Sequence, residues 1–356
     1  MSDLLLGALS LLLATNPPST ELSNYVGDRL PFLSVLTGAP SIDPNDPVEQ
    51  EFRVLLRDDD EATRQIEELL GRGPQPDPTR APTPAAEKEA VRRQLLELIN
   101  GLRDKYETFL KGHPKHVRAR LAYADHLDTH GEDHEVLEQL RLALEVDPKN
   151  PVVWNNYAGH FGHVGPITNA FHAYEQAIAL RPYEPLYHYN YGTVVFLYRK
   201  DAQEYFGINE TQVFERALAE YREVRRLAPR VFRYAFDYAQ TFYGVKPEPA
   251  ETPNGRAVAE EKLAQRALSA WRDAWDLADN HLDREGIRMH FARWQIKRKQ
   301  WDEAREQLAK VVLPEHDELK ARLEKSLKYR ESGGVETVPD AVPSITAPKL
   351  ELKLAP

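Results

Sequence analysis

The chain has 356 residues, a formal net charge of −10 at pH 7 and no cysteine. The lack of cysteine excludes disulfide frameworks, thiolate metal sites and cysteine nucleophiles, and the acidic balance argues against nucleic-acid binding, which needs a clustered basic surface. Because 42% of the residues are hydrophobic, the chain can build a packed core, and its acidic surface favours basic or neutral partners.

An apolar run, Leu4–Ala14, opens the chain and has the length of a signal-peptide core. It follows Asp3 where a signal peptide carries a basic residue, and it is too short to span a bilayer. Two locations stay open. The protein is periplasmic or secreted if the run acts as a signal, and cytoplasmic if the run is a packed helix. We assign residues 1–45 to this apolar helix and a following linker.

Residues 46–84 predict a helical segment followed by a stiff, extended Pro-rich linker at 72–84. Within the helical segment, the acidic triplet Asp58–Asp60 predicts a break and the N-cap of a new helix. From residue 85 to residue 112, apolar residues recur with helical spacing among many charges. This pattern predicts one long amphipathic helix.

The strongest pattern in the chain is a period. Pro114, Pro148 and Pro182 follow one another at intervals of 34 residues. Proline cannot continue a helix because it lacks the backbone N–H, so it is expected to stop the second helix of one unit and to set the turn into the next. The spacing therefore predicts repeated helix–turn–helix units.

Between Pro148 and Pro182, large and small apolar side chains alternate at helical spacing. The large ones are Trp154, Tyr157, Phe161 and Tyr174, and the small ones are Ala158, Ala170 and Ala177. This segment resembles the tetratricopeptide motif W-x2-L-G-x2-Y…A-x3-F…P, with Tyr157 in place of Leu and Ala158 in place of Gly. The resemblance implies that single units cannot bury both faces and must stack on their neighbours.

The same pattern recurs about five times between residues 98 and 313, with inserts between paired helices at 200–212 and 245–262. The predicted fold class is therefore all-α. We expect a right-handed α-solenoid with capping helices over residues 85–330 and a disordered tail over 331–356. The inserts resemble those of a group of bacterial tetratricopeptide proteins.

The resemblance implies a concave groove lined by fixed positions of the first helix of each repeat. Mapping these positions gives Arg118, Leu121, Asp125, Asn155, Asn156, Gly159, Tyr189, Asn190, Thr193, Phe196, Arg233, Phe236, Asp237 and Gln240. Asn156 and Asn190 occupy one equivalent position in successive repeats. Their amides can pair with the backbone of an extended peptide, or they can bond to neighbouring helices, and both interpretations stay open.

One family function can be tested residue by residue. Chaperone-binding members hold a C-terminal carboxylate with Lys, Asn and Arg side chains, and the corresponding positions here are Leu121, Asp125, Asn156, Leu186 and Asn190. Only Asn156 matches, and Asp125 would repel a carboxylate. The sequence therefore argues against capture of a chaperone tail by these repeats.

The sequence carries no strong catalytic pattern and predicts no enzyme and no cofactor. It lacks a Gly-rich phosphate loop, an H-E-x-x-H motif and a G-x-S-x-G elbow. His126, His130 and His134 lie within nine residues and form a weak candidate site for Zn, Ni or Cu. Because Gly131 interrupts their helical spacing, we favour solvated turn residues and keep a metal-binding or enzymatic protein as an alternative.

The favoured function is a scaffold that binds a peptide or helix of a partner protein in the groove. A second alternative, an envelope-associated assembly factor, depends on Leu4–Ala14 acting as a signal. Neither a nucleic-acid partner nor a transmembrane segment is predicted. The sequence does not name the partner protein.

Overall fold

A computed structural model describes residues 45–71 and 84–334. In these ranges the regular elements are 14 α-helices and one short 3-10 helix, with no strand, so the predicted all-α class is confirmed. No helix in the described ranges combines the length and the apolar character needed to cross a membrane. The apolar run Leu4–Ala14, the linker residues 72–83 and the tail residues 335–356 lie outside the described residues.

The chain divides into two compact units, Met1–Gly165 and Pro166–Pro356. The described helices of the first unit are α1 (Pro47–Gly71), α2 (Pro84–Gly112), α3 (Val117–Thr129), α4 (Asp133–Val146) and α5 (Pro151–Val164). Helix α1 packs on α2, α3 pairs with α4, and α5 packs on α4. One buried cluster, which includes Phe52, Tyr106 and Leu140, joins these helices into a single core.

The predicted break at Asp58–Asp60 is wrong, because α1 continues through all three residues. The carboxylate of Asp58 accepts a hydrogen bond from Lys105 Nζ at 2.7 Å, and that of Asp59 accepts one from the hydroxyl of Tyr106. Both donors lie on α2. Since the acids find partners across the hairpin, they do not need to capture backbone N–H groups and start a new helix.

The second unit continues the series of paired helices. Its helices are α6 (Ile167–Leu180), α7 (Pro185–Leu197), α8 (Arg199–Phe206), α9 (Glu210–Leu227), α10 (Phe232–Thr241), α11 (Pro253–Leu277), α12 (His281–Lys297), α13 (Trp301–Ala309) and α14 (Asp317–Glu331). Helix α7 pairs with α9, α10 with α11, and α12 with α13, while α6 packs on α7 and α14 packs on α12 and α13. Small residues are fully buried in these pairs, as at Ala217 on α9 and Ala274 on α11.

The helices that precede the repeat prolines all end two residues before the proline. Their last residues are Gly112, Val146, Leu180 and Leu227, and the prolines are Pro114, Pro148, Pro182 and Pro229. The predicted link between the proline period and the helix ends is confirmed. Local chemistry explains it, because proline has no N–H for the next helical hydrogen bond and restricts the residue before it.

A further regularity ties the start of each first helix to the turn before it. In three successive repeats a side chain donates a hydrogen bond to the carbonyl of the proline six residues earlier. The donors are Arg120 Nη2 at 2.6 Å, Trp154 Nε1 at 2.9 Å and His188 Nε2 at 3.0 Å. Arg284 Nε bonds to the carbonyl of Ala278 at the same interval, at 3.0 Å. Four side chains of three chemical types (guanidinium, indole and imidazole) thus satisfy an equivalent turn carbonyl.

The inserts are partly helical. The first contains α8, which ends at Gly207 in the left-handed conformation (φ 64°) that glycine adopts without steric cost. A capping box formed by Asn209 and Gln212 then starts α9. In the second insert, Thr252 caps α11 by accepting a hydrogen bond from Gly255 N. The second half of this insert therefore adds helical turns to α11 instead of forming a loop.

Candidate binding surface on the first helices

In the first unit, the predicted groove residues of α3 already have partners within the protein. Arg118 Nη1 donates to Glu49 Oε2 at 2.6 Å, and its guanidinium lies over the ring of Phe52 at 5.0 Å. Leu121 is part of the hydrophobic core and only 1% exposed. Asp125 is half-buried. Helix α1 therefore occupies part of the α3 face that the sequence assigns to a partner.

On α5, two successive asparagines differ in their surroundings. Asn155 is buried, and Asn156 and Gly159 are half-buried. The Nδ2 atom of Asn156 is buried without a hydrogen-bond partner among the described residues. A buried amide donor without an acceptor is unfavourable, so a carbonyl supplied from outside would satisfy it.

In the second unit, predicted groove residues from two successive first helices meet directly. Asp237 on α10 is buried, and its Oδ2 accepts hydrogen bonds from the Tyr189 hydroxyl on α7 at 2.6 Å and from Arg233 Nε at 2.5 Å. Burial, and then the charge of Asp237, raise the pKa of Tyr189 well above its ordinary value. The tyrosine therefore stays a neutral donor, and it links α7 to α10.

Aromatic rings pack around this link between α7 and α10. The ring of Tyr189 lies 5.0 Å from that of Tyr234 and 5.9 Å from that of Tyr221 on α9. The hydroxyl of Tyr221 is hydrogen-bonded to Thr193 Oγ1 at 2.7 Å, and Thr193 also donates to the carbonyl of Tyr189 at 2.8 Å. Three helices thus hold the polar side chains of this surface in fixed positions.

The remaining predicted residues of the second unit divide by burial. Phe196 is buried, and Phe236 is half-buried against Trp271, with ring centroids 5.2 Å apart. Asn190 and Gln240 are half-buried, and Arg233 is exposed. We call the predicted residues that offer polar atoms here the α7–α10 surface, which comprises Tyr189, Asn190, Thr193, Arg233, Asp237 and Gln240.

The structure places the three candidate histidines of the turn in different environments. His126 lies in the core, where burial and then the neighbouring His130 lower its pKa to about 3. His130 Nδ1 donates to the carbonyl of His126 at 2.6 Å, and His134 is exposed on α4. A different set of potential ligand atoms, from Asp128, Asp133 and His160, lies within 4.8 Å of one another among the described residues.

Sequence reasoning missed a pocket in the second unit. It has a volume of about 410 Å³ and lies among α11, α12 and α13. Its lining includes three arginines and several aromatic and polar side chains, namely Arg272, Trp275, Arg288, Phe291, Gln295 and Arg298. We call it the basic pocket. No local motif predicts it, because its residues are spread over three helices and share no repeat position.

Comparison with protein-family models finds no match, and comparison with curated proteins finds none. Comparison with solved structures finds chains that are similar to this one at low sequence identity. YrrB, described as "a TPR protein with an unusual peptide-binding site", is 14% identical with a TM-score of 0.45, and the match covers 62% of this chain and 97% of that chain. PilF of Pseudomonas aeruginosa is 16% identical with a TM-score of 0.44, and the match covers 78% of this chain and 98% of that chain.

The C-terminal part of a TPR repeat-containing protein from Cytophaga hutchinsonii is 13% identical with a TM-score of 0.45, covering 78% of this chain and 98% of that chain. Likeness at this level concerns the fold alone and identifies no ligand. The repeat type follows from the chain itself, through its 34-residue proline period, its paired helices and the small residues between them. The fold of the protein is therefore that of a tetratricopeptide-type helical repeat.

Proposed function

We propose that the protein is an interaction scaffold that binds a peptide or a helix of another protein on its first helices, with the α7–α10 surface as the main contact. The observation that carries this proposal is the contact of Tyr189 and Arg233 with the one carboxylate of Asp237. It supports the expectation that groove positions of successive repeats face the same way, because residues 48 apart in sequence meet there.

The chemistry of the surface suits a peptide backbone. The half-buried side-chain amide of Gln240 carries both donors and an acceptor, which is what an extended backbone requires. The hydrogen bonds and the packed aromatic rings around Tyr189 already hold the surface in place. Little ordering cost then falls on the scaffold when a partner binds.

The proposal is tested by selecting peptides from a displayed random library with the full-length protein. Binding of an enriched peptide is then measured by fluorescence anisotropy. The double variant Arg233→Ala, Gln240→Ala should weaken binding at least about tenfold, because it removes two polar contacts. Arg222→Ala is the matched control, since Arg222 and Arg233 both have side chains that are 50% exposed, but Arg222 lies on the second helix α9.

Equal affinity of the wild type and the double variant for every enriched peptide would remove the α7–α10 surface from the proposal. Failure to enrich any peptide would count against the scaffold function itself. The envelope-associated role stays a prediction that depends on Leu4–Ala14, and sequencing the N-terminus of the mature protein from cells would test it.

A further inference from the structure

The basic pocket contrasts with the rest of the chain. The protein has a formal net charge of −10, yet three arginines line this one pocket, Arg272, Arg288 and Arg298. Its volume of about 410 Å³ falls within the range of roughly 300–1,000 Å³ that ligand pockets occupy. A local excess of positive charge on an acidic protein selects for an anionic ligand.

Two of the arginines have protein partners. Arg298 donates to both carboxylate oxygens of Glu261, at 2.9 and 2.5 Å, which neutralises its charge. Arg288 Nη1 donates to Gln307 Oε1 at 3.1 Å, and its guanidinium lies 4.7 Å from the ring centroid of Trp275. Both guanidinium groups are therefore held in place at the wall of the pocket.

The third arginine is different. Arg272 is exposed, and its side chain has no ion pair or hydrogen bond within the part of the chain that the structure describes. The carboxylate of Glu306 lies near Arg288 and offsets part of that charge. Positive charge still remains at Arg272, and its five N–H donors are available to a carboxylate.

The pocket also contains a buried acceptor. Gln295 lines it, and the Oε1 atom of this side chain is buried without a hydrogen-bond partner among the described residues. An unpaired buried acceptor destabilises a protein. A ligand N–H that enters the pocket removes this penalty, so the site favours a ligand that carries both an anion and an amide.

Apolar side chains complete the site. Leu268, Trp275 and Phe291 line the same pocket as the arginines. They provide a surface for an aliphatic or aromatic side chain beside the charged group. The required ligand therefore has a carboxylate, an amide N–H and an apolar group within a short distance of one another, which is the composition of an acidic peptide.

We propose that the basic pocket binds an extended acidic segment of a partner protein. A Glu or Asp carboxylate pairs with Arg272, a backbone N–H donates to Gln295 Oε1, and a neighbouring apolar side chain packs against Phe291. The pocket shares no residue with the α7–α10 surface. The second site thus stands without the proposed function of that surface.

The test uses the full-length protein and a fluorescent, end-blocked hexapeptide in which Glu alternates with Leu and Phe. An otherwise identical peptide carries Gln in place of Glu. We expect the Glu peptide to bind and the Gln peptide to bind at least about tenfold more weakly, because only the carboxylate makes charge-assisted hydrogen bonds. Raising the NaCl concentration should weaken binding of the Glu peptide by screening.

Variants assign the binding to the pocket. Arg272→Glu should lower affinity for the Glu peptide at least about tenfold, and Arg272→Lys should have a smaller effect because it keeps the charge but loses the planar fork. Arg222→Glu, an equal charge change on α9, should leave affinity unchanged.

Gln295→Met gives a readout that a purely structural role would not produce. It removes the unpaired acceptor at similar side-chain volume, so the free protein should be as stable as the wild type or more stable, while affinity for the Glu peptide falls. Equal binding of the Glu and Gln peptides, or wild-type affinity of Arg272→Glu, would overturn the proposal. Displacement of the Glu peptide by equimolar N-acetylglutamate would overturn the assignment to a peptide in favour of a small organic anion.

Discussion

At the scale of single residues, His188 has a hydrogen-bond acceptor at each ring nitrogen. Nδ1 lies 2.7 Å from Glu220 Oε2, and Nε2 lies 3.0 Å from the carbonyl of Pro182. Two acceptors require two N–H donors, which only the protonated ring supplies. Burial alone would lower the pKa of His188, but the bonds to Glu220 and to the Pro182 carbonyl outweigh it, and the pKa is raised.

This raised pKa predicts a pH-dependent contribution to stability. It is fully present below the unfolded pKa of about 6.5 and is lost as the pH rises through the higher folded pKa. We expect His188→Gln to lower the free energy of unfolding by about 1–3 kcal/mol at low pH, and the difference from wild type to shrink as the pH is raised. Urea unfolding across this window measures it, and His172→Gln, at an exposed histidine, is the control.

The donors to the turn carbonyls should differ in importance according to burial. Arg120 is 8% exposed and also donates to Gln139 Oε1 at 2.8 Å, whereas the indole bond of Trp154 is exposed to water. We expect Arg120→Met to cost about 1–3 kcal/mol, because it leaves buried acceptors unpaired. Trp154→Phe should cost less than about 1 kcal/mol at this bond, since water replaces the donor. Urea unfolding of the two variants compares them, and equal costs would contradict this explanation.

At the scale of elements, the close pairing of α7 and α9 depends on Gly192. A Cβ atom built there would lie 3.1 Å from the Cβ of Glu220 and 3.3 Å from the carbonyl oxygen of Ala217. At Gly286 on α12 the nearest neighbour of such a Cβ is His316 Cε1, at 3.9 Å. Both glycines lie inside helices, but only Gly192 is needed for a close approach.

Matched substitutions test this difference. Gly286→Ala should raise the free energy of unfolding by about 0.5–1 kcal/mol through helix propensity alone. Gly192→Ala should lose this gain to steric conflict and be at least about 1 kcal/mol less stable than Gly286→Ala. Thermal or urea unfolding of the second unit measures both variants. Equal stabilisation by the two changes would mean that α9 can move away without cost.

The helices were the most predictable elements, and their exceptions have physical causes. The ends near Pro148 and Pro182 follow from backbone chemistry that acts within a few residues. The break in α1 was predicted wrongly because the sequence of Asp58–Asp60 is typical of a helix cap. The sequence does not show that Lys105 and Tyr106 on α2 are the partners of these acids. The second insert is shorter than the predicted range 245–262, because the cap at Thr252 starts α11 inside that range.

At the scale of the whole molecule, each compact unit contains a buried histidine that is neutral when folded. In the second unit, His290 stacks on Trp271 with ring centroids 3.8 Å apart and is hydrogen-bonded to the hydroxyl of Tyr243 at 2.8 Å. Burial, and then the charge of Arg293, lower its pKa to about 3. In the first unit the pKa of His126 is also lowered to about 3.

Both units should therefore lose stability in acid. In the unfolded chain each histidine is protonated below about pH 6.5, whereas in the folded protein it stays neutral down to about pH 3. Between these pH values the free energy of unfolding therefore falls by up to about 1.4 kcal/mol per pH unit for each histidine. His290→Phe keeps a ring against Trp271 and removes this titration. Hydrogen exchange in α11 and α12 should then depend less on pH, while α3 and α4 behave as in the wild type. An unchanged slope in α11 and α12 would contradict the assignment.

The sequence by itself determined the helical class, the 34-residue period and the helix ends, because proline, small residues and apolar spacing act locally on the backbone. It also predicted one shared surface for Tyr189, Arg233 and Asp237, and these three side chains meet in the structure. Helical periodicity specifies a face, however, and does not specify what that face meets.

Tertiary structure alone decided which of these side chains have partners within the protein. It buried Leu121, paired Arg118 with Glu49 and joined Tyr189 to Asp237. It also created the basic pocket, by bringing together side chains of α11, α12 and α13. These outcomes depend on residues tens of positions away along the chain, whose distances are set by helix packing and not by any local pattern.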